Sequence, residues 1–155
     1  MSGLIRRGLT ATAILAILLT PDSISAKKYT RRELARGLMS LGVPKDDIAM
    51  WICIATHESG LDSDAINRCN DDSSWDHGLW QINDKYWVGR NRRGGACGFS
   101  AAEVRGDNLA NAVQCVRYIL DEHRRLQGNG WLAWSVYSHQ RHCRGDLSSY
   151  VEGCF

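Results

Sequence analysis

The sequence predicts an α+β domain, a mostly helical lobe and a small antiparallel β lobe with a cleft between them. Three observations predict it. Apolar residues recur at helical spacing before residue 60, a polar and turn-rich stretch fills residues 61–84, and helical spacing returns from Leu109. A chain of 155 residues is long enough for one core of this kind.

The chain opens with Arg6 and Arg7, then the apolar run Leu9–Leu19, broken at Thr20-Pro21 and followed by Ser23, Ser25 and Ala26. A charged start, a short apolar run and a small-residue exit mark a secretory signal over residues 1–26, with cleavage expected after Ala26. The run falls well short of the roughly 20 apolar residues a membrane span needs. Residues 27–155 are therefore expected to form one secreted, extracellular domain with no integral membrane association.

Within that domain Thr30-Arg-Arg-Glu33 has the spacing of a capping box, followed by Leu34, Leu38 and Leu41 on one helical face and Gly42 as a stop. A second helix starts near Pro44, with Asp46 and Asp47 where free N–H groups favour acids. Ile48, Trp51, Ile52 and Ala55 form its apolar face, which runs into His57-Glu58 before Ser59-Gly60 closes it. Asn67, Asn70, Asp71, Asp72, Ser73, Ser74 and Gly78 then punctuate short polar segments, the pattern of a hairpin-rich sheet. Residues 78–83 read as a strand with Trp80 and Ile82 on one side. Residues 88–100, rich in glycine, read as irregular chain tethered by Cys97. Leu109, Ala112, Val113, Val116, Ile119 and Leu120 make a long helix with Asp107 as candidate cap. Gln127-Gly-Asn-Gly130 is a turn, Trp131 to Ser135 a short helix, and Leu147, Tyr150 and Val151 a last helical turn.

Nineteen Lys plus Arg against 17 Asp plus Glu leave a formal charge of only +2. That is too weak a field for a nucleic-acid or polybasic membrane binder. Cys53, Cys69, Cys97, Cys115, Cys143 and Cys154 all follow the leader, and an even count in a secreted chain reads as disulfides. Spacing alone does not choose the pairs. With no CxxC or HExxH, a zinc site is not expected.

Two acids have unusual settings. Glu58 ends an apolar helix, where lost hydration penalises the charged carboxyl and lets it hold a proton near neutral pH. Asp76 sits in the polar segment Ser73-Ser-Trp-Asp-His-Gly78, with Gln81 and Asn83 nearby. One protonated carboxyl and one carboxylate are the pair that glycoside hydrolysis needs. Each also has an ordinary reading, a solvated helix-end Glu and an Asx turn, and spacing alone does not bring the two together. Ser59 and His57 lack a nucleophile-elbow pattern, so a hydrolase triad is not expected. Tyr86 and Trp87 offer either core anchors or a sugar-stacking face. Arg90, Arg92 and Arg93 read as a solvated loop.

At these residues the sequence resembles animal c-type lysozymes, their insect branch above all, over about residues 28–155. The resemblance rests on Trp51-Ile-Cys53-Ile-Ala-Thr-His-Glu58-Ser, Asn67-Arg68, Asp76-His-Gly78-Leu-Trp-Gln81-Ile-Asn83, Cys97 and Cys115, and Trp131-Leu-Ala-Trp134 followed by Cys143 and Gly153-Cys154. It implies a lysozyme fold and cleavage of the β-1,4 links of bacterial peptidoglycan with retained configuration. Glu58 falls on the family's general acid and Asp76 on its second carboxylate; lysozyme is the type case for this pairing. Trp131 falls on the tryptophan packed against the acid. Asn67, Gln81, Asn83, Tyr86, Trp87 and Asn129 fall on cleft or sugar-contact positions. The implied partner is bacterial cell-wall polysaccharide, met by a monomer.

The resemblance also implies the bridges Cys53–Cys143 and Cys97–Cys115. Val88 and Ala101 occupy both ends of a third usual bridge. Arg32 stands where the family has the cysteine that pairs with Cys154, and Cys69 is extra. Cys69 and Cys154 pair through an altered tail, pair between chains or stay reduced; two bridges plus two unresolved thiols is the arrangement expected. In the stretch Ala101–Asn108 oxygen ligands are too sparse, with Arg105 among them, for a Ca²⁺ site, and no cofactor is required. The competing expectation is a non-catalytic, lysozyme-like saccharide-binding protein with a reproductive or immune role. A third is a structural or signalling protein whose cleft is incidental.

Overall fold

A computed structural model describes residues 27–155, so the expected leader lies outside the described residues. The first helix, α1 (Arg31–Ser40), begins as the capping box requires. Thr30 Oγ1 accepts from the Glu33 N–H while Glu33 Oε2 accepts from the Thr30 N–H at 2.8 Å. Leu34, Ala35 and Leu38 are buried. The next helix, α2 (Lys45–Ser59), starts at Pro44 with Asp46 and Asp47 in its first turn and ends where Gly60 turns left-handed at φ 62°. Its middle, from Trp51 to Ala55, is buried all round, not along one stripe. Helix α2 is therefore the axis of the core, and its C-terminal end is carried into the cleft.

Three two-residue strands, β1 (Ile66–Asn67), β2 (Asp76–His77) and β3 (Ile82–Asn83), form an antiparallel sheet in that order. The register pairs Asn67 with Asp76 and Asp76 with Asn83, so an amide stands on each side of the acid. The strand expected over 78–83 shrinks to its last two residues. Gly78 and Gln81 have φ of 74° and 48°, which turn the chain and drive Leu79 and Trp80 into the core. Residues 88–106 are largely irregular, crossed by the isolated bridges Gly89–Ser100 and Gly94–Phe99. At Gly95, also left-handed, a Cβ would run into the Trp87–Val88 backbone.

The long helix α3 (Leu109–Gln127) buries Leu109, Ala112, Val113, Cys115, Val116, Ile119 and Leu120. Its cap is Asn108, which accepts from the Ala110 N–H at 3.1 Å. Asp107, the expected cap, instead presents its carbonyl to the Tyr29 hydroxyl at 2.8 Å. Beyond Leu120 the helix leaves the core and runs on through the ion pairs Arg124–Asp121 and Arg125–Glu122, each at 2.7 Å. A 3₁₀ turn (Gly130–Ala133), the short helix α4 (Ser135–Ser138) and a 3₁₀ turn at Ser148–Tyr150 complete the chain.

A tryptophan cluster joins the lobes. Trp51 meets Trp131, Trp134 and Trp80 edge-on, with ring centroids 4.8, 5.1 and 5.8 Å away. Indole N–H groups link the backbone in series: Trp134 to the Trp80 carbonyl and Trp80 to the Trp51 carbonyl, both at 3.0 Å. The bridges Cys53–Cys143 and Cys97–Cys115 are formed, and Cys69 (exposed) and Cys154 (buried) are free. Val88 and Ala101 are each 1% exposed, so the site of the third bridge has become apolar core. Arg32 Nε donates to the Gly153 carbonyl at 2.8 Å, a polar tie beside Cys154. Among the described residues no helix is long and apolar enough to cross a membrane.

Candidate active site

A cleft of about 210 Å³ lies between the lobes, and Glu58, Asp76, Gln81, Asn83, Trp87 and Trp134 are in its wall. Glu58, next to last in α2, is half-buried there. Burial pushes its carboxyl up to about 7, the Asp76 charge pushes the same way, and a backbone hydrogen bond from Val136 opposes them. Asp76 is held differently. Asn83 Nδ2 donates to Oδ1 at 2.7 Å, while Asn70 and Asn67 Nδ2 donate to Oδ2 at 2.8 and 3.2 Å. Three amide donors on an acceptor-only group supply, in protein, the solvation water would give. Ser74 Oγ in turn accepts from Asn83 and Asn70, at 2.8 and 3.2 Å, fixing which way both amides point.

Other expected residues are spread differently. Gln81 Nε2 donates to the Gly78 carbonyl at 2.9 Å and steadies the turn that forms the wall. Trp87 lines the cleft, backed by His123 of α3 at 5.8 Å between ring centroids. Tyr86 stands outside the wall, 58% exposed. Asn129 caps the 3₁₀ turn at Trp131 and donates to the Tyr137 hydroxyl. Trp134 lines the cleft with Glu58, and Trp131 packs beside it, both rings meeting Trp51 edge-on. The turn Gly130–Ala133 carries Trp131 and ends at Trp134, and Ala133, Trp134 and Ser135 pass along the cleft. The sequence reading missed Trp134, Ser135 and Asn70. A signal for Trp134 was present, since Trp131-Leu-Ala-Trp134 offers two candidates three residues apart.

The hydrolase triad is excluded by its partners. His57 Nε2 meets the Tyr150 hydroxyl at 2.8 Å, and Ser59 Oγ donates to the Ala55 and Leu79 carbonyls. Arg90 is not merely solvated: its Nε lies 2.6 Å from the buried carboxylate of Asp84. Among the described residues no group of three or more His, Cys, Asp or Glu could hold a metal ion.

The model of the C-type lysozyme/alpha-lactalbumin family matches residues 27–154. The chain belongs to that family. It is 38% identical to lysozyme P of Drosophila melanogaster, over 92% of this chain and 96% of that protein. It is 36% identical to lysozyme 2 of Lucilia sericata, over 95% and 98% of the two chains. Among solved structures, a lysozyme from Litopenaeus vannamei matches with a TM-score of 0.74 and 34% identity, covering 84% of this chain and 98% of that one. The fold is thus the lysozyme α+β fold, and the chain is a lysozyme-type enzyme with insect lysozymes among its relatives.

Proposed function

We propose that this chain is a retaining glycoside hydrolase of bacterial peptidoglycan, acting on its β-1,4 links. The observation that carries the reading is the unlike treatment of two carboxyls in one cleft. Glu58 is pushed up to about 7, while Asp76 is wrapped by three amides.

The glycan enters the cleft with a glycosidic oxygen at Glu58 and the adjoining anomeric carbon at Asp76. Glu58 gives its proton to that oxygen as the carbon–oxygen bond breaks, and the aglycone half leaves as an alcohol. Asp76 stabilises the positive charge that grows at the anomeric carbon, or bonds to it. Water then enters, Glu58, now a carboxylate, takes its proton, and the resulting oxygen attacks the same carbon. Asp76 is released unchanged and Glu58 regains its proton. Attack on opposite faces in the two steps retains configuration. Every atom in this sequence comes from substrate, water or the two carboxyls, so no cofactor enters.

Gln81, Asn83 and Trp87 would meet the sugar chain from the wall, and exposed Tyr86 would meet it at the rim. Asn67 acts through Asp76, Asn129 through the turn that holds the wall, and Trp131 by packing on Trp51. The enzyme works as a secreted monomer. Turbidimetry of bacterial walls across pH, with the intact chain, Glu58→Gln and Asp76→Asn, tests the reading. Clearing by the intact chain and near-complete loss in Glu58→Gln, with saccharide binding kept, is the outcome expected. Binding without clearing by the intact chain at any pH would leave a lectin-like protein instead.

A further inference from the structure

Behind the cleft lies a further carboxylate that the proposed reaction does not use. Asp84 follows β3 directly, and its side chain is 2% exposed. A buried charge of this kind is costly unless every lone pair is occupied. Here they are. Oδ1 accepts from the Trp75 N–H at 2.9 Å and from Arg90 Nη2 at 3.1 Å. Oδ2 faces His77 Nε2 at 3.2 Å and accepts from Arg90 Nε at 2.6 Å. The Asp84 N–H also donates to the Trp75 carbonyl at 2.8 Å, so the two residues are bonded in both directions.

Trp75 and His77 are the residues on either side of Asp76. Successive residues along a strand point to opposite faces. Asn83 holds Asp76 itself, at 2.7 Å, while its neighbour Asp84 bonds the residues on both flanks of Asp76, the Trp75 backbone N–H and the His77 ring. We propose that Asp84 is the positioning residue for Asp76, clamping Trp75 and His77 so that the carboxylate between them is held toward the cleft.

The surroundings fit that role. Arg90 ties the clamp further, donating to the Ser73 carbonyl at 2.7 Å and lying 4.4 Å over the Trp75 ring, with Arg68 over the same ring at 4.8 Å. His77 is 2% exposed and its Nδ1 has no partner among the described residues. Donating from Nε2 to Asp84 leaves that orphan nitrogen a bare acceptor, the less costly state for a buried ring. Burial holds His77 below its ordinary value, against the pull of Asp84. At Asp84 burial pushes upward, but Arg90, the Trp75 N–H and His77 outweigh it and bring the carboxyl down to about 2, so the clamp stays charged.

The inference rests on the proposed roles of Glu58 and Asp76, and Asp84→Asn tests it. The amide still accepts from Trp75 but confronts the His77 N–H with a donor. The expected result is a fall in kcat of tenfold or more with KM changed less than threefold. In addition, the Asp76 charge would move away from Glu58, so the titration of Glu58, followed by carboxyl carbon NMR, would drop below its native midpoint. Arg90→Gln, at the open side of the clamp, should show the same two changes more weakly and covers the case in which Asp84→Asn does not fold. A folded Asp84→Asn chain with native kcat and a native Glu58 midpoint would overturn the proposal. The NMR midpoint needs no turnover, so an intact chain that clears no walls would refute the hydrolase reading while still deciding the clamp.

Discussion

The carboxylate of Asp76 faces Glu58 across one cleft and adds to the burial that keeps Glu58 protonated up to about pH 7. The acid thus depends on its partner's charge, and that dependence has a sign that kinetics can read.

On the proposed mechanism turnover needs Glu58 with its proton, so activity should fall as pH rises through about 7. A kcat/KM profile on a soluble oligosaccharide should show this alkaline limb. In Asp76→Asn the residual activity should lose its alkaline limb at lower pH than in the native chain. A limb left in place would mean that the two carboxyls do not sense each other.

The same group makes stability pH-dependent. Its folded midpoint, about 7, lies above the ordinary 4.5, so its contribution is intact below 4.5 and is lost as pH rises through 7. Glu58→Gln should therefore raise stability at pH 8 by on the order of 3 kcal/mol and change it little at pH 4. Denaturant midpoints at the two pH values make the comparison.

Trp134 and Trp131 can be separated by the acid they are each candidates to shield. Trp134→Phe thins the apolar wall beside Glu58 and should move the alkaline limb down, whereas Trp131→Phe should leave it where it is. Trp134→Phe also gives up the hydrogen bond to the Trp80 carbonyl, about 1 kcal/mol of stability.

Asn83→Ala removes the shortest of the three amide bonds to Asp76. A hydrogen bond to a charged group is worth about 1.5–3 kcal/mol, so kcat should fall between roughly tenfold and a hundredfold. Steady-state rates on the same oligosaccharide give the value.

The resemblance sets position 32 opposite the free Cys154, so Arg32→Cys should pair with it. A bridge of that span is expected to add about 2–4 kcal/mol. Thiol labelling should then mark Cys69 and no longer Cys154.

Much of this was legible beforehand, for local reasons. The capping box at Thr30, the stop at Gly60 and the buried stripe from Leu109 to Leu120 follow from hydrogen-bonding groups and periodicity within a few residues. Two things were not local. The strand expected over 78–83 gave way to a turn because Trp80 is pulled into the core by Trp51 and Trp134, partners 29 and 54 residues away. The clamp at Asp84 was equally hidden, since its ligands come from a strand, a turn and a loop. Arg90, taken alone, looks like any loop arginine. At the site itself Glu58 and Asp76 stood out by setting and by resemblance.

The rung Asn67–Asp76–Asn83 belongs to strands only two residues long, which leaves the sheet no tolerance for slippage. A shift of one position would turn His77 outward to the sugar and hide the acid behind it. Insertions and deletions should therefore be rejected within the rung and also at Asn70 and Ser74, the loop residues that hold its acid and amides, a requirement that a deletion library selected for folding and then for wall clearing would map directly.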